Sequence, residues 1–262
     1  MSYRELPLPP QCADRIEALW RFDATSAALH PVLPDGRMDV LVRFERHEHG
    51  RIANVRLVIA GPSQRPGVVP AGERTSLVGI RFRSGWGGVC LQLQAAELLD
   101  QVLLGDDASR VLGPLAEPLL RATDIDALLQ LMQHTACTLA SRTPGSPTQL
   151  ATAAAIDLLH GDGGSTPIAT LASRLGRSER SLRRHLHDAV GLPAKSLAAI
   201  LRFRRTLRLL DDQPTLALSA AAAEAGYSDQ AHMSREFKRY GGFSPSARPT
   251  MAPMYLSMQS QG

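Results

Sequence analysis

Hydrophobic positions recur every three or four residues through the second half of the chain, which is the spacing of amphipathic helices. This pattern predicts helices over 149–160, 168–175, 179–190, 194–210, 216–225 and 230–240. Residues suited to helix ends fall between them: Gly176, Gly191, Gly226 and Gly241 after helices, and Ser178 and Ser228 as N-caps. The second half is therefore predicted to be all-α.

The first half has short apolar runs between turns rich in Gly, Pro and Asp. The runs at 38–44, 55–59 and 77–82 predict strands. The runs at 91–104, 112–122 and 124–140 have helical spacing instead. We therefore predict an α+β chain, in which the helices of 91–141 either form a dimer interface or cover the β-structure.

A linker-like stretch at 141–148 contains two prolines and a glycine and divides the chain. We place the domain boundary there. The first domain is predicted to span 1–145, with β-structure over about 1–90 and helices over about 91–141, and the second to span 149–250. Residues 251–262 are interpreted as a tail.

An internal repeat is the strongest feature of the second half. Three residues, Ala172, Gly176 and Ser178, recur fifty positions later as Ala222, Gly226 and Ser228. Four more, Leu182, Arg184, Leu186 and Gly191, recur one position further on as Met233, Arg235, Phe237 and Gly242. A small residue where two helices cross, a glycine turn and a second helix make a helix-turn-helix. The repeat therefore predicts two such units, joined by the long helix at 194–210.

The second helix of each unit is predicted to have an apolar face and a basic face. In the first unit the basic sector holds Arg180, Arg183, Arg184 and His187. In the second unit the corresponding face holds Ala231, His232, Arg235, Lys238 and Arg239. Such a helix fits the major groove of DNA, where arginine pairs with guanine or contacts phosphate.

Basic charge is concentrated in this part of the chain. The net charge is +4, but residues 1–149 carry 15 Lys/Arg against 16 Asp/Glu, and residues 160–210 carry 10 against 3. This distribution is typical of a polyanion-binding domain. Four arginines on the joining helix are expected either to reach phosphates or to pair with acids such as Asp211 and Asp212: Arg202, Arg204, Arg205 and Arg208.

Residues 165–249 resemble the DNA-binding domain of the AraC family of transcription regulators. In the first unit the resemblance rests on Leu171-Ala172, Ser178, Leu182, Arg184, Gly191, Arg202 and Leu209-Leu210. In the second it rests on Ala222, Gly226-Tyr227-Ser228-Asp229, His232-Met233, Arg235, Phe237-Lys238, Gly242 and Ser244-Pro245. The resemblance implies DNA contacts from Arg180, Ser181, Arg183 and Arg184, and from Gln230, Ala231, His232, Ser234 and Arg235.

The first half more weakly resembles the cupin-like sensor domains of some AraC-family regulators, through the runs at 33–40 and 79–82. The resemblance implies that the β-structure is a small barrel. Arg37, Asp39 and Arg81 then either face an effector pocket or form ion pairs at the surface, and we favour structural pairing. Trp86 either caps that pocket or fills a core.

The sequence argues against other classes. It has no apolar stretch long enough to span a membrane and no secretory signal, so we expect a cytoplasmic protein. Its 3 cysteines lie far apart, with neither metal-site spacing nor a disulfide framework. His47 and His49 are interpreted as part of an exposed turn, so no metal site is expected. Enzyme motifs are lacking, and we expect neither catalysis nor a cofactor.

Together these observations predict a sequence-specific transcription regulator that binds double-stranded DNA. We expect RNA polymerase as a partner, a small-molecule effector in the first domain, and a homodimer as a possible assembly. The alternative is a DNA-binding protein that senses no effector, whose first domain serves only to dimerise.

Overall fold

The computed structural model describes residues 2–142 and 144–249. Its strands are β1 Ser2–Leu6, β2 Ile16–Asp23, β3 Ala28–Val32, β4 Asp39–Arg46, β5 Ile52–Ala60, β6 Gly67–Ala71, β7 Thr75–Phe82 and β8 Val102–Leu104. Its α-helices are α1 Gly87–Leu91, α2 Asp106–Leu112, α3 Ala116–Leu120, α4 Ile125–Ser141, α5 Pro147–Gly161, α6 Ile168–Arg174, α7 Glu179–Val190, α8 Ala194–Asp212, α9 Leu218–Glu224 and α10 Gln230–Gly241.

An antiparallel sheet of six strands, in the order β1-β2-β7-β4-β5-β8, forms the first half. Strands β3 and β6 pair separately as a two-stranded ribbon. The predicted mixed architecture is confirmed, but the predicted barrel is wrong in one respect. The sheet is open, because β1 and β8 are its two edges and do not pair with each other.

The two faces of the sheet are covered by different parts of the chain. Along β4 the apolar residues alternate, so Val40, Val42 and Phe44 are buried on one face. Helix α4 packs on the strands β2 and β7, and buries Leu128 and Met132 in the same core as those residues. Of the two interpretations of residues 91–141, the structure therefore shows α4 covering the sheet.

Within the first half, the prediction of one helix over 91–104 is wrong. The chain leaves α1 at Gln92, whose φ of 57° is left-handed, and continues through a 3-10 helix at Ala95–Leu98 into β8. Leu91, Ala95 and Leu98 are buried at roughly helical spacing, but Val102 and Leu104 of β8 are exposed, so the spacing does not correspond to one continuous helix.

The second half is helical, as predicted, and shares a core with the sheet. Phe203 of α8 packs edge-on against Phe237 of α10, with ring centroids 5.0 Å apart. This core continues to Trp20 and Phe22 on the second face of the sheet. The two halves of the chain are therefore joined by apolar contacts.

Between the two halves, α4 continues through Ser141 and α5 begins at Pro147 with a capping box at Ser146. The predicted tail at 251–262 lies outside the described residues. Within the described part, none of the helices is both long and apolar enough to cross a membrane.

Candidate nucleic-acid interface

Helices α6 and α7 form a tightly crossed pair. Ala172 on α6 is 2% exposed, so its small side chain lies where the two helices approach each other. The turn passes through Gly176, and Ser178 then caps α7 by accepting a hydrogen bond from the backbone N–H of Ser181. Leu182 and Leu186 are buried beneath α7.

The opposite face of α7 is open to solvent. The side chains predicted for this face, Arg180, Arg183, Arg184 and His187, are all exposed, and Ser181 is partly buried. Arg183 is held by Glu179 in an ion pair one turn away, and His187 lies 3.8 Å from Asp188. Within the described residues, Arg180 and Arg184 form neither an ion pair nor a side-chain hydrogen bond, so both guanidinium groups are available to a ligand.

Helices α9 and α10 repeat this arrangement. Ala222 on α9 is buried, and Met233 and Phe237 anchor α10 to the core. One predicted detail is wrong: the N-cap of α10 is Asp229 and not Ser228, because the Asp229 carboxylate accepts from the backbone N–H of His232. Another is shifted by one residue: Gly241 is the last residue of α10, and the left-handed glycine that follows the helix is Gly242.

The exposed face of α10 combines free and engaged side chains. Gln230, Ala231, Arg235, Lys238 and Arg239 are exposed, whereas His232 and Ser234 are partly buried. His232 Nε2 lies 3.4 Å from Glu236, and its ring packs edge-on against Tyr227. Arg239 donates to Gln64 of the first half. Arg235 and Lys238 are therefore the cations of this face without an ion pair or side-chain hydrogen bond to another described residue.

Helix α8 joins the two pairs, and its arginines differ in role. Arg202 bonds Glu236 at 2.7 Å and lies over the ring of Tyr227, which fixes α10 to α8. Arg205 and Arg208 are exposed, whereas Arg204 is 4% exposed. Of the two roles expected for these arginines, contact with phosphate does not fit Arg204, because its side chain is buried. Asp211 pairs with Arg248 and not with an arginine of α8.

The sequence analysis did not predict that Arg204 is buried, although the helical period of the apolar residues on α8 indicates it. Residues four and seven positions before it, Ile200 and Leu197, are buried on α8. The helical period therefore puts residue 204 on the buried face. There Arg204 donates to the backbone carbonyl of Pro34, at an N–O distance of 3.4 Å.

Four charged residues lie near this contact and form a charge cluster: Asp35, Arg37, Arg81 and Arg204. Burial alone would raise the pKa of Asp35, but the charges of Arg37, Arg204 and Arg81 bring it below its ordinary value. Burial lowers the pKa of Arg204 to about 10, although Asp35 acts in the opposite direction. The carboxylate of Asp35 thus compensates arginines from both halves of the chain.

Three of the predicted pocket residues are engaged in ion pairs. Arg81 lies 3.2 Å from Asp39, directly opposite it in the β4–β7 register, and is 1% exposed. Burial raises the pKa of Asp39 despite this partner. Arg37 pairs with Glu17 instead. Pairing was the favoured interpretation, but the pairs are largely buried and do not lie at the surface.

Trp86, the fourth predicted pocket residue, lies at a cleft between the two halves. The guanidinium of Arg15 lies over its ring, 5.0 Å from the centroid. The cleft encloses about 560 Å³. Its walls come from α1 and the following residues on one side and from α5 and α7 on the other, and include Trp86, Val89, Leu93, Thr152, His185 and Ala189.

His47 and His49 lie in an exposed turn at the end of β4. In the described part of the chain, no three His, Cys, Asp or Glu residues are grouped so that they could hold a metal ion.

Two family models match the chain. Residues 171–248 match a helix-turn-helix domain, and residues 4–104 match a domain of unknown function (DUF6597). None of the curated proteins matches the chain.

Among solved structures, the C-terminal domain of AraT, a response regulator from Geobacillus stearothermophilus, is 21% identical, with a TM-score of 0.35. The match covers 44% of this chain and 88% of that domain. ToxT from Vibrio cholerae O395 is 12% identical, with a TM-score of 0.42 and coverage of 92% and 96%. Unsaturated fatty acid-bound ToxT from Vibrio cholerae strain SCE256 is 14% identical, with a TM-score of 0.42 and coverage of 86% and 92%.

These TM-scores lie below 0.5, so the assignment depends on the domain match and on the repeated motif within it. The matched range contains α7, α8, α9 and α10, and the match assigns the chain to a class of DNA-binding proteins rather than to enzymes. Residues 171–248 are a helix-turn-helix domain of the AraC type, and the chain is a DNA-binding transcription regulator.

Proposed function

We propose that the protein recognises specific duplex DNA sites by placing α7 and α10 in successive major grooves. The observation that carries this proposal is the pairing of two similar helices, each anchored by apolar residues and each exposing unpaired cations. Arg180 and Arg184 are the candidate contacts on α7, and Arg235 and Lys238 those on α10. The other predicted contacts, Ser181, Arg183, His187, Gln230, Ala231, His232, Ser234 and Arg239, are proposed to surround them.

The length of α8 supports this arrangement. Its 19 residues correspond to about 28 Å, close to the roughly 34 Å between successive major grooves on one face of a duplex. Arg202 fixes α10 on α8, so the second helix pair is held firmly against the connector. We place the DNA-binding domain at 149–250 and the remaining domain at 1–145.

The test is to measure the affinity of Arg184→Ala and Arg235→Ala variants for a bound site mapped with the wild-type protein. Each substitution is expected to weaken specific binding by about 1–3 kcal/mol and to relax specificity at one base pair. The affinity of the wild-type protein is expected to fall steeply with salt, because phosphate contacts release counterions.

A control is Arg121→Ala, which removes an exposed arginine that follows α3, pairs with Glu117 and belongs to neither of the two faces. This variant should bind as the wild type does. If Arg184→Ala and Arg235→Ala also bind as the wild type does, the assignment of the two faces is wrong.

We further propose that the cleft beside Trp86 holds a small-molecule effector. Its walls include His185 and Ala189 of α7 itself, so a molecule bound there would act directly on a helix that contacts DNA. The two domains are then coupled through one site. Arg37, Asp39 and Arg81 are taken up by ion pairs within the first half, so we do not assign them to the effector.

The alternative function is effector-independent DNA binding with a first domain that only dimerises. A reporter placed behind a mapped operator separates the two. An effector must change reporter output in the wild type and fail to do so when Ala153→Trp fills the cleft. Acting at a promoter in the cytoplasm, such a regulator would have RNA polymerase as its partner, and a homodimer would pair two half-sites.

A further inference from the structure

Two cysteines far apart in the sequence meet in the fold. The sulfur atoms of Cys12 and Cys137 lie 3.2 Å apart, although 125 positions separate them. Cys12 ends the 3-10 helix at Pro10–Cys12, and Cys137 lies in the last part of α4. The sequence spacing of the cysteines does not predict this pair, because the two sulfur atoms meet only when the segment Pro10–Cys12 packs against α4.

The surroundings of the two thiols differ. Cys12 is fully buried and its thiol donates to the carbonyl of Pro9, whereas Cys137 is partly exposed. The side-chain amide of the exposed Gln11 points its nitrogen at the sulfur of Cys137, 3.9 Å away. One sulfur is therefore reachable from solvent, while the other is held in contact behind it.

We propose that Cys12 and Cys137 form a reversible intramolecular disulfide when the protein meets a peroxide, and that this bond ties Pro10–Cys12 to α4. This property is independent of DNA binding and of any effector. The bond needs the sulfur atoms to close to about 2.0 Å. The irregular segment around Pro9 and Pro10 carries Cys12, so the movement does not require a shift of the sheet.

The chemistry divides between the two residues according to their exposure. The thiolate of Cys137 attacks one peroxide oxygen, the O–O bond breaks, and the released hydroxide takes up the proton that the thiol lost. The sulfur of Cys12 then attacks the resulting sulfenic acid, the S–O bond breaks, and the Cys12 proton leaves with the hydroxide as water. Two thiols lose two electrons and one hydrogen peroxide becomes two waters. A dithiol reductant reverses the bond by exchange.

Burial raises the pKa of Cys12 to about 12, so Cys12 is the poorer nucleophile for the first step, attack on the peroxide. Cys90 provides a contrast within the same chain. It is buried, its pKa is likewise raised to about 12, and no thiol partner is described beside it. We expect Cys90 to stay reduced under the same treatment.

The experiment treats the full chain with hydrogen peroxide, labels the remaining thiols under denaturing conditions, and counts them by mass. The reduced wild type should label all 3 cysteines, and the oxidised wild type only Cys90, with a linked peptide joining Cys12 to Cys137. A Cys90→Ser variant should form the same link. Non-reducing electrophoresis should show a monomer, which distinguishes this bond from a cross-link between chains.

The decisive variant is Cys137→Ala, because position 137 is partly exposed and tolerates a smaller side chain better than position 12 does. In this variant Cys12 and Cys90 should both remain labelled after oxidation. The unfolding temperature should rise on oxidation of the wild type and stay unchanged in the variant. Full labelling of oxidised wild type, a stable sulfenic acid at Cys137, or a link that includes Cys90 would each overturn the proposal.

Discussion

Arginines of identical chemistry have opposite roles in this protein, and burial separates them. Arg184 is exposed on α7, while Arg204 lies on the buried face of α8, close to Pro34 and Asp35. The repeat and the helical period identified the first from sequence. The second could be placed on a buried face by the same period, but its partners could not be inferred, because they lie 170 positions away in the chain.

His160 provides a test of the charge cluster at the level of one residue. Its Nε2 is enclosed and has no hydrogen-bond partner among the described residues. Burial, followed by the charge of Arg37, lowers its pKa from 6.5 to about 3. The charged groups around it are Arg37, Asp35, Arg204 and Arg208.

The pKa of His160 is lower in the folded protein than in the unfolded chain. As the pH falls, His160 is therefore protonated in the unfolded chain before it is protonated in the folded protein. The stability that neutral His160 permits is therefore present above pH 6.5 and is lost between pH 6.5 and about 3. The slope is roughly 1.4 kcal/mol per pH unit, or about 2 kcal/mol between pH 7 and pH 5. Urea unfolding at the two pH values measures it.

A His160→Leu variant should lose that part of the pH dependence, since it has no proton to gain. His134→Gln is the control, because His134 is exposed on α4 and its replacement should leave the wild-type profile unchanged. Equal pH profiles for wild type and His160→Leu would show that His160 is not buried in its neutral form.

At the scale of elements, the sequence predicted those with a clear period, and also β7, whose apolar run is bounded by turn residues although it is buried on both faces. Helices α7 and α10 keep an apolar stripe over three turns, and β4 alternates. Strand β2 was missed because it has neither signal: it is buried on both faces, so it shows no alternation, and Glu17, Arg21 and Asp23 interrupt its apolar run. The N-cap of α10 was misplaced because Ser228 and Asp229 are both good caps, and only the structure shows which accepts the bond.

Two glycines at equivalent helix ends provide a matched test of how the elements dock. Gly176 and Gly191 both have positive φ, 63° and 76°. A Cβ at Gly176 would meet nothing within 4 Å, whereas one at Gly191 would lie 2.6 Å from the carbonyl oxygen of Ala95. The end of α7 therefore contacts the backbone of the first half.

Gly176→Ala should cost about 1–2 kcal/mol, the strain of a left-handed alanine. Gly191→Ala should cost about 1–3 kcal/mol more, because it also forces the Ala95 backbone away. Chemical denaturation of both variants gives the comparison. Equal losses would mean that α7 does not dock against Ala95 in solution.

At the scale of the whole molecule, the second half is attached to the first by two contacts. One is the shared apolar core, and the other is the polar contact of Arg204 with Pro34 and Asp35. The sequence predicts that apolar residues such as Phe203 and Phe237 are buried, but it does not show that their core extends to Trp20 and Phe22 of the sheet. The contact between Asp35 and Arg204 was not anticipated, because the two residues lie far apart in the sequence. The position of Asp35 between Arg37 of the first half and Arg204 of the second makes it part of the interface.

Removing Arg204 should therefore destabilise the joined molecule. Arg204→Met leaves the Asp35 carboxylate with less compensation, and we expect a loss of about 1–3 kcal/mol in the free energy of unfolding. Arg208→Met, at an exposed position one turn later, should change it by less than about 0.5 kcal/mol. Thermal and urea unfolding of the two variants measure this difference directly.

A double-mutant cycle identifies the cause of that loss. If Arg204 stabilises the protein through Asp35, then Asp35→Asn should cost less in the Arg204→Met background than in the wild type, with a coupling of roughly 0.5–3 kcal/mol. Additive losses would show that Arg204 acts only through packing and its bond to Pro34. A measurable coupling would instead mean that a charge on the loop before β4 holds the connector of the two DNA-binding helix pairs. The position of both basic faces would then depend on the first domain.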